Sequence, residues 1–242
     1  MSIELNHKLE LQKQGFTTIP NIYSSKEIDE LIKMLKSLDT ENSNFRKTKE
    51  LFAIRQFLKE VPKIQNLVLN HNLKKLVREY FGEDFFLVKS IYFDKPPTSN
   101  WFVSYHQDLS ISVNKKEIIP EYTNWTVKKH QFGVQPPLEV LKNMYTIRIH
   151  LDETNEHNGA LKVIPESHTK GIYRPETINW NVEKEVVCNV PKGAAMLMKP
   201  LLLHSSSRTT NHQRRRVIHL EFSNKELAKD LNWAERIDYC KT

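Results

Sequence analysis

The chain contains 242 residues, of which 39% are hydrophobic and 27% are charged. This composition is typical of a globular protein with a substantial core and excludes a low-complexity chain. The formal net charge of +7 leaves open an acidic substrate, a nucleic-acid partner, a membrane surface or simply a lysine-rich solubilising surface. No apolar run is long enough to span a membrane, the first residues lack a signal-peptide pattern, and the two cysteines form no CxxC pair. We therefore expect a reduced, cytoplasmic protein without a membrane partner.

The first third of the chain, about residues 5–82, is predicted to be mainly helical. Ser24 and Glu27 have the spacing of a capping box, which predicts that a helix begins there. Gly82 stands where a helix C-cap is expected. The predicted elements are, in order, a helix over 5–14, a strand over 15–20, a helix over 24–38, a polar loop over 40–50, and helices over 50–60 and 63–81.

From about residue 85 to residue 223 the pattern changes to short strands separated by turn signals, which predicts a mainly β core. The long, poorly periodic segment 113–140 interrupts this core and is predicted to be a lid or a substrate loop. Helices followed by many strands indicate an α+β fold, here one domain over 1–242. The predicted strands cover 86–93, 101–106, 143–151, 160–164, 185–190, 194–198, 201–204 and 216–222, and a short helix is expected near 225–231.

His106 and Asp108 end one of these strands and are separated by one residue. Side chains two residues apart in an extended segment point to the same side, so one imidazole and one carboxylate project together. Two histidines and one carboxylate form the facial triad of non-haem Fe(II) oxygenases, and this pair supplies two of the three. The alternative is a surface strand with two polar residues.

A second histidine, His204, ends the apolar run of Leu201–Leu203 and precedes three serines. This position suits the rim of a pocket, although a hydrogen-bonded structural histidine is the alternative. A run of three arginines at 214–216 opens the next strand, and neighbouring residues of a strand face opposite ways. An inward-facing arginine beside a metal offers a two-pronged contact to a carboxylate. Contact with nucleic acid is the alternative for this run.

Together these segments resemble the phytanoyl-CoA dioxygenase (PhyH)-like family of Fe(II)/2-oxoglutarate-dependent oxygenases, over about residues 10–225. The resemblance implies a double-stranded β-helix of the jelly-roll or cupin type, with the N-terminal helices packed on one sheet. A typical member has glycine where this chain has Glu166. The resemblance is carried by Phe-Asp-Lys-Pro-Pro (93–97), Trp-Phe-Val-Ser-Tyr-His-Gln-Asp (101–108), Asn-Gly-Ala-Leu-Lys-Val-Ile-Pro-Glu-Ser-His (158–168) and Pro-Leu-Leu-Leu-His-Ser-Ser-Ser (200–207).

The resemblance also implies a catalytic site with Fe(II) as the metal and with 2-oxoglutarate and O2 as cosubstrates. Arg215, eleven residues after His204, is implied to hold the far carboxylate of 2-oxoglutarate, with the Ser206 hydroxyl beside it. Arg214 or Arg216 takes this role if the intervening loop differs by one residue. The implied metal ligands and catalytic residues are His106, Asp108 and His204.

Members of the family often carry an aromatic residue ten positions before the Asn-Gly turn, where this chain has Arg148. Thr146 shares its face by the strand period, and both residues are candidates for cosubstrate binding. Arg148 binds the cosubstrate or an acidic prime substrate, unless it forms an internal salt bridge. His219 shares a face with Arg215 and is a further candidate for the neighbourhood of the site.

The function implied by the resemblance is hydroxylation of a small molecule, with conversion of 2-oxoglutarate and O2 to succinate and CO2. Asp108 favours a hydroxylase over a halogenase, because halogenating relatives lack the carboxylate ligand. Ring closure, desaturation and demethylation remain open. The alternatives are a catalytically silent or regulatory member of the fold and a nucleic-acid-modifying oxygenase. The expected partner is a small-molecule substrate, for which an acidic compound is one alternative. The sequence does not indicate the oligomeric state.

Overall fold

The computed structural model describes residues 3–38, 45–47, 52–99, 101–128, 131–228 and 230–239. Among the helices of these residues, none has the length and apolar character needed to cross a membrane. The α-helices are α1 (Ile3–Gln14), α2 (Ser25–Lys36), α3 (Phe57–Glu60), α4 (Gln65–Val68), α5 (His71–Tyr80) and α6 (Leu138–Lys142), and 3-10 turns lie at Pro62–Ile64, Ser167–Lys170 and Pro175–Thr177.

The strands of the described residues are β1 (Phe16–Ile19), β2 (Phe45–Lys47), β3 (Phe52–Arg55), β4 (Phe86–Lys95), β5 (Val103–His106), β6 (Ile111–Val113), β7 (Thr123–Lys128), β8 (Gln131–Gln135), β9 (Met144–His150), β10 (Leu161–Val163), β11 (Val186–Cys188), β12 (Ala195–Met198), β13 (His204–Ser206) and β14 (Arg215–Ser223). They form three antiparallel sheets. The large sheet has the order β1-β12-β9-β14-β4-β3-β2, the small sheet β11-β10-β13-β5, and the third sheet β6-β8-β7.

Helix α2 begins where the capping box predicts. The Ser24 hydroxyl accepts a hydrogen bond from the Glu27 amide, and the Ser24 amide donates to the Glu27 carboxylate at 2.8 Å. The two contacts satisfy backbone donors that a helix end leaves free. The apolar faces of α2 and α5 then pack on the large sheet, and each buried aliphatic side chain contributes about 1.5–3 kcal/mol. The helix residues that pack there are Ile28, Leu31, Leu35, Leu73, Leu76 and Val77.

Alternation along the central strands of the large sheet separates its two faces. Ile147 and Ile149 of β9 face the helices, as do Ile218 and Leu220 of β14. The residues between them point to the opposite face, which the small sheet covers. The prediction of an α+β, jelly-roll-type fold with N-terminal helices on one sheet is confirmed, whereas the single domain over 1–242 stays a prediction.

Three local predictions are wrong. Phe52–Arg55 is a strand rather than the start of a helix, because it pairs with β4. Leu201–Leu203 forms a buried turn, in which the Leu202 amide donates to the Lys199 carbonyl at 3.0 Å, and the strand begins only at His204. Residues 224–228 are not helical. Of the predicted loop 40–50, residues 45–47 form β2, and the rest lies outside the described residues.

The segment predicted as a lid contains regular structure. β7 and β8 form an antiparallel hairpin, and β8 also pairs with β6. Helix α6 follows the hairpin. The poor periodicity of the sequence in this segment reflects short, exposed strands, since the side chains of β7 lie mostly in solvent.

Glu166, the residue that stands in place of the family's glycine, has a backbone φ of 65°. This left-handed conformation is open to glycine and costly for other residues. The Glu166 amide donates to the Gln14 carbonyl at 3.0 Å. The turn thus keeps the backbone shape that glycine favours, although the side chain differs.

Candidate metal and cosubstrate site

His106 ends β5 and His204 begins β13, and the two are cross-strand partners in the small sheet. Their ring centroids are 4.3 Å apart. The Asp108 carboxylate lies 3.8 Å from Nε2 of His106 and 3.8 Å from Nε2 of His204. The three ligand atoms lie within 4.8 Å of one another. Since metal–nitrogen bonds are about 2.1 Å long, one ion can contact all three.

Both imidazoles are oriented by backbone carbonyls. Nδ1 of His106 lies 2.8 Å from the Ser104 oxygen, and Nδ1 of His204 lies 2.9 Å from the Leu202 oxygen. A carbonyl oxygen only accepts, so Nδ1 carries the proton in each ring and Nε2 presents its lone pair towards Asp108. Burial lowers the pKa of His204 to about 4, so this ring is neutral at neutral pH. Metal-ligating histidines have this arrangement.

The backbone around His106 and Asp108 is held by Gln107, whose side chain is buried. The Asp108 amide also donates to the Pro200 carbonyl at 2.9 Å. These contacts join the loop after β5 to the turn before β13, and they fix the spacing of the candidate ligands. The Gln107 amide group donates to the carbonyls of Leu201 at 2.5 Å and Gly171 at 2.9 Å and accepts from the Tyr173 amide at 2.8 Å.

The Asp108 carboxyl is ionised at neutral pH. Burial raises its pKa, but the nearby imidazoles and the Lys89 ammonium together lower it more strongly, so the net shift is downward. A carboxylate beside two neutral imidazoles is the donor set that non-haem Fe(II) sites use. The imidazoles are those of His204, His219 and His106.

The side chains of the three consecutive arginines point alternately to opposite faces, as the two-residue period of a strand requires. Arg214 makes two hydrogen bonds of 2.8 Å to Asp94, and Arg216 contacts Asp152 at 2.8 and 2.6 Å. Both are therefore neutralised outside the cavity. Arg215 is buried and points between the sheets, where it lines the cavity with the candidate metal ligands.

Arg148 and Arg215 form a pair of buried cations. The Arg215 guanidinium donates to the Gly159 carbonyl at 2.5 Å, and Nη1 of Arg148 lies 3.1 Å from Nδ1 of His219. Among the described residues neither forms a salt bridge, and Nε of each has no hydrogen-bond partner. Burial lowers the pKa of Arg148, and burial together with Arg148 lowers the pKa of Arg215 to about 9.

Two buried guanidinium groups without an anion are costly, because each charge has lost its hydration. A carboxylate between them would supply the missing acceptors. The residues at this end of the cavity therefore fit the far carboxylate of 2-oxoglutarate. The internal salt bridge considered for Arg148 is not formed within the described residues.

Ser206 and Thr146 lie in different places. Ser206 lines the cavity and donates from Oγ to the Gly159 carbonyl at 3.0 Å. Thr146 is fully buried opposite Glu221 in the pairing of β9 and β14, and it is not among the described residues that line the cavity. The structure thus brings Ser206, but not Thr146, to the arginine pair.

Two cavity residues, Lys89 and Glu221, were missed by the sequence analysis. Nζ of Lys89 lies 2.8 Å from Glu221 Oε1, and Nε2 of His219 lies 3.0 Å from the same oxygen. Ligand atoms of Asp108, His219 and Glu221 also lie within 4.8 Å of one another. The two-residue period from Arg215 through His219 pointed to Glu221, whereas Lys89 joins the site only through the pairing of β14 with β4.

The cavity has a volume of about 170 Å³ and follows strand β14 between the two sheets. Arg215 lines one end, His219 the middle and Glu221 the other end. At about 3.4 Å per residue, Arg215 and Glu221 are roughly 20 Å apart along the strand. The candidate metal ligand Asp108 lies at the His219–Glu221 side, and Arg215 lies at the other end of the strand segment that lines the cavity.

The model of the family "Phytanoyl-CoA dioxygenase (PhyH)" matches residues 11–217. This chain belongs to that family. The resemblance stated from the motifs is therefore confirmed, and with it membership in a group of Fe(II)- and 2-oxoglutarate-dependent dioxygenases.

One related protein and two solved structures are similar to this chain. A probable alpha-ketoglutarate-dependent hypophosphite dioxygenase of Stutzerimonas stutzeri is 24% identical over 236 residues, with 85% of this chain and 73% of that protein covered. The epimerase SnoN from nogalamycin biosynthesis superposes with a TM-score of 0.69 at 12% identity, covering 90% of this chain and 81% of SnoN. HygX from Streptomyces hygroscopicus, with nickel, 2-oxoglutarate and hygromycin B bound, superposes with a TM-score of 0.64 at 15% identity, covering 92% and 87%. At such identities the two structures show a shared fold.

Proposed function

We propose that this protein is an Fe(II)/2-oxoglutarate-dependent dioxygenase that hydroxylates a small molecule and converts 2-oxoglutarate and O2 to succinate and CO2. The observation that carries the proposal is the combination of two features in one cavity. Two imidazoles and a carboxylate converge with their ligand atoms within 4.8 Å. Beside them lies a pair of buried guanidinium groups for which the described part of the chain provides no anionic partner.

Each of these residues has a defined role in the proposal. His106, Asp108 and His204 hold Fe(II), with the Nδ1 protons of both histidines kept on backbone carbonyls. Arg215 holds the far carboxylate of 2-oxoglutarate, with the Ser206 hydroxyl beside it. When bound, the iron and 2-oxoglutarate supply an oxidant for a C–H bond.

Arg148 supports this arrangement from β9. It brings a second positive charge close to Arg215, and its Nη1 lies 3.1 Å from Nδ1 of His219. The cavity lies between two sheets, so bulk water has restricted access to the bound carboxylate. A buried, charge-assisted contact of this kind is stronger than an exposed one.

The products determine where the atoms of 2-oxoglutarate and O2 go in the reaction. The C1 carboxylate of 2-oxoglutarate leaves as CO2, one oxygen atom of O2 completes the new carboxylate of succinate, and the other enters the substrate as R–H becomes R–OH. Asp108 supports hydroxylation over halogenation, because its carboxylate occupies the position that halogenating relatives leave open.

The test is iron-dependent formation of succinate from 2-oxoglutarate, with a panel of small molecules that includes hypophosphite, the substrate in the name of the S. stutzeri relative. Asp108→Ala and His106→Ala are expected to abolish succinate formation and to leave the circular dichroism spectrum unchanged. Asp84→Ala, at an exposed aspartate, is the matched control and is expected to retain activity.

Three outcomes contradict parts of the proposal. Full turnover in Asp108→Ala would contradict the assignment of Asp108 as a metal ligand. An absence of succinate with the wild-type protein and every panel member would favour a catalytically silent member of the fold. A product without an added oxygen atom, found by mass spectrometry, would replace hydroxylation with another oxidation.

A further inference from the structure

We call the cavity that is lined by His106, Asp108 and His204 the metal cavity. A second cavity adjoins it and has a volume of about 230 Å³. We call it the hairpin chamber. Its walls include residues of β4, β7 and β8, and Lys89 and Ile91 line both cavities. The chamber thus opens beside Glu221, at the end of the metal cavity opposite Arg215. Its defining residues are Lys89, Ile91, Thr126, Lys128, Phe132 and Gly133.

The chamber wall carries a net positive charge. Its cations are Arg55, Lys89 and Lys128, and the acid among the described wall residues is Glu235. The Glu235 carboxylate accepts hydrogen bonds from the Ser90 amide at 2.6 Å and the Ser90 hydroxyl at 2.5 Å. Burial raises the pKa of Glu235, and its carboxylate is already engaged by Ser90.

Lys89 connects the chamber with the metal cavity. Its ammonium donates to Glu221 at 2.8 Å and to the Ser110 carbonyl at 2.9 Å. An ammonium has three N–H donors, so one remains for a ligand in either cavity. The Glu221 oxygens belong to the group that also includes Asp108, which places the chamber next to the proposed metal ligands.

Hydroxyl donors complete the polar wall. Ser110, Ser112 and Thr126 line the chamber. A Cβ atom at Gly133 would lie 2.6 Å from Oγ1 of Thr126 and 3.0 Å from Oγ of Ser110. A side chain at Gly133 would therefore displace these hydroxyls, and the glycine keeps them at the chamber surface. Cations with hydroxyl donors are the groups that bind small oxyanions.

The volume limits what can be bound. At about 30 Å³ per water molecule, the chamber has room for roughly eight waters or a compound of about that many non-hydrogen atoms. Pockets for drug-sized ligands are larger, about 300–1,000 Å³. Ile91, Phe132 and Ala234 supply the apolar part of the wall, which suits a small carbon skeleton beside the anionic group.

Resting on the proposed function, we propose that the hairpin chamber holds the prime substrate and that this substrate is a small molecule with an oxyanionic group. Arg55, Lys89 and Lys128 bind the oxyanion, and the hydroxyls of the chamber contribute further hydrogen bonds. The bond to be oxidised then points past Ile91 towards Asp108. The hairpin of β7 and β8 acts as the specificity-determining wall.

The test uses protein loaded with Mn(II) and saturating 2-oxoglutarate, so that the arginine pair is occupied and no turnover takes place. Binding of inorganic phosphate, acetate and the neutral probe glycerol is measured by calorimetry. We expect phosphate or acetate, but not glycerol, to bind. Binding of phosphate alone indicates a phosphorus oxyanion, and binding of acetate alone indicates a carboxylate.

The variants Lys128→Met and Arg55→Met are expected to weaken this binding by up to about fivefold, the loss expected for one cation at a partly exposed site. Lys192→Met, at a surface lysine that pairs with Asp29, is the matched control and is expected to bind as the wild type does. Because Lys128 is exposed on β7, its variant remains informative even if Arg55→Met fails to fold.

The inference is overturned if neither anion binds to the 2-oxoglutarate-loaded protein, or if both chamber variants bind as tightly as the wild type. Binding of 2-oxoglutarate itself and iron-dependent succinate formation are measured in the same preparations. If these persist while anion binding fails, only the chamber assignment falls. If they fail as well, the proposed function falls with it.

Discussion

The two ends of the metal cavity differ in whether the protein provides a carboxylate for their positive charges. At the Arg215 end, two guanidinium groups are buried without a carboxylate among the described residues. At the Lys89 end, the ammonium already has a partner in Glu221 at 2.8 Å. The first end is therefore incomplete without a ligand, whereas at the second end the protein supplies a carboxylate to the ammonium, which keeps one N–H donor for a ligand.

This difference supports the proposal that the two ends bind different ligands. A cosubstrate that is the same in every turnover can be bound by charges that are fixed in the central strands and compensated only by that ligand. The opposite end opens into the hairpin chamber, whose wall comes from the short strands β7 and β8. A wall on a surface hairpin can change in sequence without disturbing the large sheet.

The largest expected effect concerns the incomplete end. Arg215→Ala is expected to weaken 2-oxoglutarate binding by about 2–5 kcal/mol, because a buried, charge-assisted contact is lost. Calorimetry on the Mn(II)-loaded protein measures this loss. Arg214→Ala serves as the control, since Arg214 pairs with Asp94 outside the cavity. If Arg214→Ala or Arg216→Ala causes the loss instead, the assignment of Arg215 is wrong.

A smaller effect is expected on the free energy of unfolding when the pH is lowered, through His150 beside the two arginines. Burial, and then the charges of Arg148 and Arg215, hold the pKa of His150 well below its ordinary value. The unfolded chain therefore binds a proton near pH 6.5 that the folded protein excludes, so the free energy of unfolding falls as the pH falls. Between about pH 7.5 and about pH 5.5 this residue accounts for about 1.4 kcal/mol.

Chemical denaturation of the metal-free protein at the two pH values measures this dependence. His150→Asn is expected to show a flatter pH dependence than the wild type, and His157→Asn, at an exposed histidine, is the control. Equal slopes for the wild type and His150→Asn would mean that the arginine pair does not constrain this histidine.

The smallest effect is expected for the hydroxyl beside Arg215. Ser206→Ala is expected to weaken 2-oxoglutarate binding by about 0.5–1.5 kcal/mol, the usual contribution of one hydrogen bond. The comparison variant is Ser207→Ala, at the next residue. A loss in Ser206→Ala as large as that in Arg215→Ala would show that the hydroxyl, and not the arginine pair, dominates this end of the cavity.

Much of the candidate site could be predicted from patterns of residues that are close together in the sequence. His106 and Asp108 are separated by one residue and converge although β5 ends at His106, and the two-residue strand period separates Arg215 from its neighbours. The capping box at Ser24 likewise marks the start of α2. Each of these patterns depends on residues close together in the chain, so the sequence alone displays it.

Long-range pairing explains what could not be predicted. Phe52–Arg55 becomes a strand because β4 offers a partner, and Lys89 reaches Glu221 only through the register of β4 and β14. The chamber depends on how the hairpin of β7 and β8 lies against the large sheet. The position of Thr146 was misjudged for a related reason, since sharing a face with Arg148 does not bring both side chains to the same part of that face.

The cross-strand pairing of His106 with His204 has a consequence for assembly. The two histidines come from distant parts of the chain, so the proposed ligand set exists only after β5 has paired with β13. The complete ligand set therefore forms only when the small sheet has closed, and a bound metal should in turn stabilise the pairing of β5 with β13. Hydrogen exchange of the backbone amides in β5 and β13 should therefore slow when the metal binds, because the ion links the two strands through His106 and His204.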